Sequence, residues 1–171
     1  SRITQNNRIE LHFRLNDAEL ALSDKSFYAR KVNGTGKFEN GSLTIEHVSG
    51  MLGNGQFQLS CTTNAKERQS VNWHFHGNNI NVAQLGSVLQ MFKIKLPILS
   101  QHQLYGEVST IDLNITGSSN KPIITMRAIP KGLYYKPLGL SRSLRAASGS
   151  ILYTQDNLTL DKVTFVNHTD K

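Results

Sequence analysis

Hydrophobic and polar residues alternate with a period of two along most of the chain, which predicts β-strands with one apolar and one polar face. After Asn16-Asp17 the alternation changes phase. We count about ten such runs, most of them joined as hairpins. Representative apolar positions are Ile9, Leu11, Phe13 and Leu15; Ala18, Leu20 and Leu22; Leu43 and Ile45; Phe57, Leu59 and Cys61; Val71, Trp73 and Phe75; Ile111, Leu113 and Ile115; Ile124, Met126 and Ala128; Ile151 and Tyr153; Leu158 and Leu160; and Val163 and Phe165.

Turn-forming residues separate these runs, because glycine and asparagine readily adopt the positive φ that tight hairpin turns require. The predicted turns are Asn33-Gly34, Asn40-Gly41, Asn54-Gly55, Gly77-Asn78-Asn79 and Gly117-Ser118-Ser119-Asn120.

One segment has the spacing of an amphipathic helix instead. Between about residues 82 and 94, apolar residues recur every three or four positions, which predicts a helix. Asn81 is suited to cap its N-terminus, and Pro97 marks the far limit. Its apolar positions are Val82, Leu85, Val88, Leu89 and Phe92.

An internal similarity links two distant strands. The segment Leu43–Val48 matches Leu158–Val163 almost position by position, and a glycine-containing strand and a polar turn precede each. Similar hairpins are therefore expected at both places.

Composition indicates a single globular domain, residues 1–171. Hydrophobic residues make up 38% and charged residues 18%, which are ordinary globular values. The net charge is +7, but the cations are scattered and form no basic helix, so no nucleic-acid partner is expected. Cys61 is the single cysteine, and its place in the alternation predicts a buried thiol.

The predicted sheet has an apolar face that must be kept from water. One helix is too little to cover about ten strands. The sheet either packs on itself as a sandwich or barrel, or it remains an open trough whose apolar lining binds lipid or protein. Alternation alone leaves both arrangements open.

Catalytic signatures are weak in this sequence. His74 and His76 lie two residues apart on one strand face, the spacing of some metal-dependent β-barrel enzymes. The accompanying glutamate and third histidine are missing, so we interpret both as the solvent side of an amphipathic strand. No nucleophile motif or phosphate loop occurs. We therefore expect a protein that is not an enzyme, with no metal and no cofactor.

Several segments resemble AsmA-like and TamB-like proteins. The glycine-marked hairpin Gly34–Ile45, the bend Val48–Phe57 and the step from strand to helix in Gly77–Leu85 are similar to that family's pattern. The stretch Gly106–Gly117, followed by Lys121-Pro122-Ile123-Ile124, is similar to another of its segments.

The resemblance implies a curled antiparallel sheet, a β-taco or open groove, within a much longer protein of the diderm bacterial envelope. Such proteins are anchored in the inner membrane by regions outside this segment and extend through the periplasm. Phospholipid acyl chains are the implied partners, with outer-membrane barrel proteins as further partners. The implied groove lining is Phe57, Leu59, Trp73, Phe75, Ile111, Leu113, Ile115, Ile124 and Met126.

The sequence thus favours a segment of a groove that binds or conducts phospholipid between the two membranes, in envelope biogenesis. One alternative is a closed β-sandwich that binds carbohydrate or protein, in which the apolar face is filled by the domain's own side chains. A more distant alternative is a metal-dependent β-barrel enzyme built on His74 and His76.

Overall fold

A computed structural model describes residues 9–21, 27–64, 70–91, 103–118, 121–136, 142–154 and 157–168. The described residues form nine strands and one helix. In chain order these are β1 (Glu10–Ala21), β2 (Tyr28–Glu39), β3 (Ser42–Leu52), β4 (Gly55–Asn64), β5 (Ser70–Asn81), α1 (Val82–Met91), β6 (Gln103–Ser118), β7 (Lys121–Lys136), β8 (Ser143–Thr154) and β9 (Asn157–His168).

All nine strands belong to one antiparallel meander in which each strand pairs with its neighbours in sequence, from β1 to β9. The predicted mainly-β fold with one short helix is therefore confirmed. The predicted strong curl of a β-taco is wrong, because the sheet is neither closed nor strongly curled. The sandwich is also wrong for the described residues, because all nine strands belong to one sheet that is neither closed nor strongly curled.

The phase change near the N-terminus is a β-bulge rather than a break between two strands. Leu15 pairs with Gly34 and Ala18 pairs with Val32, so two residues of β1 stand opposite a single residue of β2. Asp17 adopts a φ of 48° within this bulge. The structure therefore has nine described strands where the sequence suggested about ten.

The turn predictions are confirmed in part. Asn40-Gly41 forms the β2–β3 turn, and the β3–β4 turn lies at Gly53-Asn54, one residue before the expected pair. The other dipeptide, Asn33-Gly34, lies inside β2, and Gly77-Asn78-Asn79 lies inside β5, so both of these turn predictions are wrong.

Helix α1 begins at Val82 as predicted, and its N-terminus is capped by Asn81. The Asn81 Oδ1 atom accepts a hydrogen bond of 2.9 Å from the Ala83 backbone N–H. Of the predicted apolar positions, Val82, Leu85 and Val88 are buried. The predicted extension from Phe92 to Ile94 lies outside the described residues.

The core occupies one face of the sheet, here called the apolar face, which carries Phe57, Phe75, Leu113 and Met126. Helix α1 packs against β5 and β6, and its Leu85 and Val88 join the same cluster. The opposite, polar face carries residues such as His76, Asp112 and Arg127, which stand directly across from one another on neighbouring strands.

The internal similarity corresponds to a repeated hairpin. In β2–β3, Glu39 pairs with Ser42, and in β8–β9, Thr154 pairs with Asn157 in the same way. Eight residues before the second strand of each hairpin stands a glycine, Gly34 or Gly149. A Cβ atom at Gly34 would meet the backbone at His47-Val48, and one at Gly149 would meet the equivalent Lys162-Val163.

Candidate functional site

The structure brings the nine predicted lining residues together on the apolar face. Residues directly opposite each other in an antiparallel pair project to the same face. One row of such pairs runs from Leu59 through Phe75 and Leu113 to Met126, and a second joins Trp73 to Ile115 and Ile124. Phe57 and Ile111 stand on either side of Gly77.

Most of these nine side chains are packed within the domain itself. Six are buried: Phe57, Phe75, Ile111, Leu113, Ile115 and Met126. The other three, Leu59, Trp73 and Ile124, are partly buried and pack against the same cluster. Phe57 and Phe75 stack with ring centroids 5.9 Å apart. The centre of the apolar face is therefore part of the domain's own core. Only its partly buried side chains are accessible to a ligand.

The margins of the apolar face are more open than its centre. At the β1–β2 side, Leu11 is 59% exposed and stands opposite Phe38, which is also exposed. At the β9 side, Leu158, Leu160 and Phe165 are exposed. Leu160 stands opposite Ile151, which stands opposite Ala128, so β9 continues the same face. We call the first set the β1 margin and the second the β9 margin.

These margins were missed as candidate site residues from the sequence, although their leucines were recognised in the alternation. The usable signal was the series of predicted hairpins, which indicates a meander. In a meander the first and last strands are the edges, and the side chains of edge strands have packing neighbours on one side only. Strand order decides which apolar residues remain open, and alternation does not report strand order.

The polar face carries the two histidines singled out in the sequence. The His76 Nδ1 atom lies 2.6 Å from Asp112 Oδ1, and Asn78 Nδ2 lies 3.2 Å from His76 Nε2. With Asn78 donating to Nε2, the ring donates its Nδ1–H to the carboxylate. His74 Nε2 lies 3.9 Å from the same Asp112 oxygen. Both histidines thus face one carboxylate on the polar side of their strand.

Metal-binding side chains do not converge in the described part of the chain: it contains no group of three or more His, Cys, Asp or Glu residues placed to hold a metal ion. A shallow depression of about 410 Å³ adjoins His76 and is lined also by Lys31, Gln56, Gln58 and Asn78. Its lining offers hydrogen-bonding amides and a cation.

Cys61 is buried on the apolar face opposite Trp73, as its place in the alternation predicted. Burial raises the pKa of its thiol to about 12, because the anionic thiolate would lose its hydration in this surrounding. A thiol that stays protonated at neutral pH is a poor nucleophile, so Cys61 serves packing.

Comparison with known proteins gives no relative: no family model, no curated protein and no solved structure matches this chain. Within the described residues, no helix has both the length and the apolar character needed to cross a membrane.

Proposed function

We propose that the apolar face is a lipid-contact surface and that the domain is a segment of an open hydrophobic groove for phospholipids. The observation that carries the proposal is the pair of exposed apolar margins flanking a packed centre, on one continuous face of an open sheet. Exposed apolar patches of this kind are typical of binding surfaces.

Simple energetics support acyl chains as the ligand. Each methylene group removed from water contributes about 0.8 kcal/mol, so a few methylenes along one margin give measurable affinity. The net charge of +7 adds attraction to anionic headgroups, which stay in water beside the sheet. The action is passive, because lipid moves along the face without bond breakage or cofactor.

The cellular setting follows from the family resemblance. On this proposal the domain works in the periplasm of a diderm bacterium, within a longer protein anchored in the inner membrane. It passes phospholipid toward the outer membrane and contributes to envelope biogenesis, with outer-membrane barrel proteins as further partners.

The proposal is tested by placing a photo-crosslinking amino acid at single positions of the purified chain. The lipid source is vesicles of phosphatidylethanolamine and phosphatidylglycerol. We expect lipid adducts at Leu11 and Leu160 on the two margins. Thr159 is the matched control, since it neighbours Leu160 on the same strand, is also exposed, and faces the polar side.

Leu113 is a second control and should give no lipid adduct, because it is only 1% exposed. Strong adducts at Leu160 and none at Thr159 would support the lipid-contact surface. Equal labelling of Leu160 and Thr159, or no labelling at either margin, would overturn it.

A further inference from the structure

Among the residues that the structure describes, strand β1 is an edge of the sheet, since the strand order ends there. Its first part is regular: from Glu10 to Leu15, each residue pairs with β2 without a register shift. Apolar side chains on this stretch are unusually open, with Ile9 64% and Leu11 59% exposed. A regular, exposed edge of this kind is a template for adding another strand.

The direction of the backbone groups on this edge is fixed by the pairing with β2. The Asn40 backbone N–H donates to the Ile9 carbonyl across 3.1 Å, so Ile9 directs its peptide groups toward β2. Successive residues of a strand direct their peptide groups to opposite sides. Glu10, His12 and Arg14 therefore direct theirs outward, toward the open edge.

The sequence of this stretch is chemically symmetric about His12. Reading outward in both directions gives an apolar residue, a charged residue and an apolar residue, and the two charges are opposite. In an antiparallel pair of two β1 strands centred on His12, Glu10 faces the partner's Arg14. Leu11 then faces the partner's Phe13, and Ile9 faces the partner's Leu15.

Backbone geometry allows the centred register and shifts by two residues, and charge then selects the centred one. The centred pairing matches the outward peptide groups of residues 10, 12 and 14 on both copies, giving a continuous hydrogen-bonded ladder. Shifting it by two residues in one direction places Arg14 opposite the partner's Arg8, and shifting it in the other places Glu10 opposite the partner's Asn16. Only the centred register pairs Glu10 of each copy with Arg14 of the other.

We propose that β1 is the docking edge for a second copy of this chain, paired antiparallel about a twofold axis at His12. The apolar faces of the two copies then lie on the same side and form one wider surface.

The proposed contact also corrects an unfavourable feature of the single chain. Glu10 stands directly opposite Glu39 of β2, and like charges in that position destabilise a sheet. His12 Nε2 lies 2.7 Å from Glu10 Oε1, and its side chain is largely exposed. The partner's Arg14 brings a permanent cation to the same carboxylate.

The other edge is less suited to the same role. Strand β9 has register shifts against β8, and Lys162 adopts a φ of 52° in the middle of the strand. Such bulges interrupt the ladder on an open edge and oppose strand addition. A translated copy is also disfavoured, because β1 and β9 run in the same direction and would pair in parallel, unlike every ladder in this sheet.

The first test measures self-association of the purified chain by sedimentation equilibrium. One added strand makes an interface below standard size, so we expect a dimer with a Kd on the order of 10–100 µM. Arg14→Glu and Glu10→Arg should each raise that Kd about tenfold or more, since each replaces two attractive contacts by repulsive ones. Combining both substitutions should restore the dimer, because the charges are exchanged rather than lost.

Lys162→Glu on β9 is the matched control and should leave the Kd unchanged. A monomeric chain at millimolar concentration would overturn the proposal. So would loss of the dimer in Lys162→Glu alone, or failure of the double variant to recover while circular dichroism shows it folded.

The second test fixes the register by disulfide formation. Two Cys residues at position 12 would face each other with Cα atoms about 5.5 Å apart, within the range of a disulfide. At position 14 the same two residues would lie roughly 14 Å apart along the strands. Mild oxidation should therefore cross-link His12→Cys and not Arg14→Cys, and the reverse result would exclude this register. The inference does not rest on lipid binding, since both of its tests are done without lipid. Leu11 belongs to both surfaces, whereas Leu160 and Thr159 test lipid contact away from this edge.

Discussion

At the scale of single residues, Gly77 shows how closely the apolar face is packed. A Cβ atom there would lie 2.7 Å from Ile80 Cγ1, 3.0 Å from Ile111 Cγ2 and 3.1 Å from Phe75 Cε1. Ile80 and Ile111 are fully buried, so they would have to shift within a packed core to admit the new methyl group. We therefore expect Gly77→Ala to lower the free energy of unfolding by about 1–3 kcal/mol, measured by urea denaturation.

Gly86→Ala is the matched control, because a Cβ atom at Gly86 in α1 meets nothing within 4 Å. Alanine favours helix over glycine, so this variant should gain roughly 0.5–1 kcal/mol. If both variants lost stability equally, the close packing around Gly77 would not be the cause.

Whether a residue is determined by local or by distant contacts explains which residues were predictable from the sequence. Asn81 and Cys61 depend on local patterns, a capping position and a strand alternation, and both were recognised. Gly34 and Gly77 were misread as turn residues. Glycine is required at both positions because atoms of a neighbouring strand or side chain occupy the place that a Cβ atom would take. That requirement arises from residues distant in sequence, so local turn statistics do not contain it.

At the scale of elements, the junction between β5 and α1 depends on Asn81. Its side-chain oxygen satisfies the Ala83 N–H, which has no partner within the first turn of a helix. Asn81→Ala should therefore lower the free energy of unfolding by about 1 kcal/mol. The measurement is thermal unfolding followed by circular dichroism.

Asn81→Asp is the matched control for this cap. It keeps an oxygen acceptor and adds a negative charge to a first turn that contains no acidic residue. Stability at or above that of the natural chain is expected. A loss equal to that of the alanine variant would show that the amide nitrogen of Asn81, rather than its oxygen, matters.

Elements were predicted better than their connections. The phase change after Asn16-Asp17 correctly reported an irregularity, yet a bulge and a turn have the same signature, because each shifts the alternation by one residue. The repeated hairpin was visible because its glycine and its alternating strand are both local. Gly34 and Gly149 then occupy equivalent places against β3 and β9.

At the scale of the whole molecule, alternation predicted the two faces of the sheet but not its curvature. Period two determines which side chains share a face, whereas curl and closure depend on twist summed over all strands. The predicted lining residues therefore lie on one face, and strand order determines that its centre is buried while its margins are open.

Cys61 provides a measure of the stability of the whole sheet. It is the single cysteine and lies on β4, an interior strand. The pKa of its thiol is about 12 in the folded chain, against an ordinary value of 9.0. As pH rises above 9, the Cys61 thiol ionises in the unfolded chain, which stabilises the unfolded state. In the folded chain the same thiol stays neutral. The stability contributed by this shift is complete below pH 9 and is lost between about pH 9 and 12.

Comparison with Cys61→Ala isolates this contribution, because all other groups titrate in both proteins. The difference in unfolding free energy between the two should be constant from pH 6 to 8. By pH 10 the natural chain should have lost roughly 1 kcal/mol of unfolding free energy relative to Cys61→Ala. A difference that stays constant up to pH 10 would mean that the thiol reaches solvent in the folded state. In that case the centre of the apolar face is open rather than packed, and lipid contact would extend from the margins across the nine central residues.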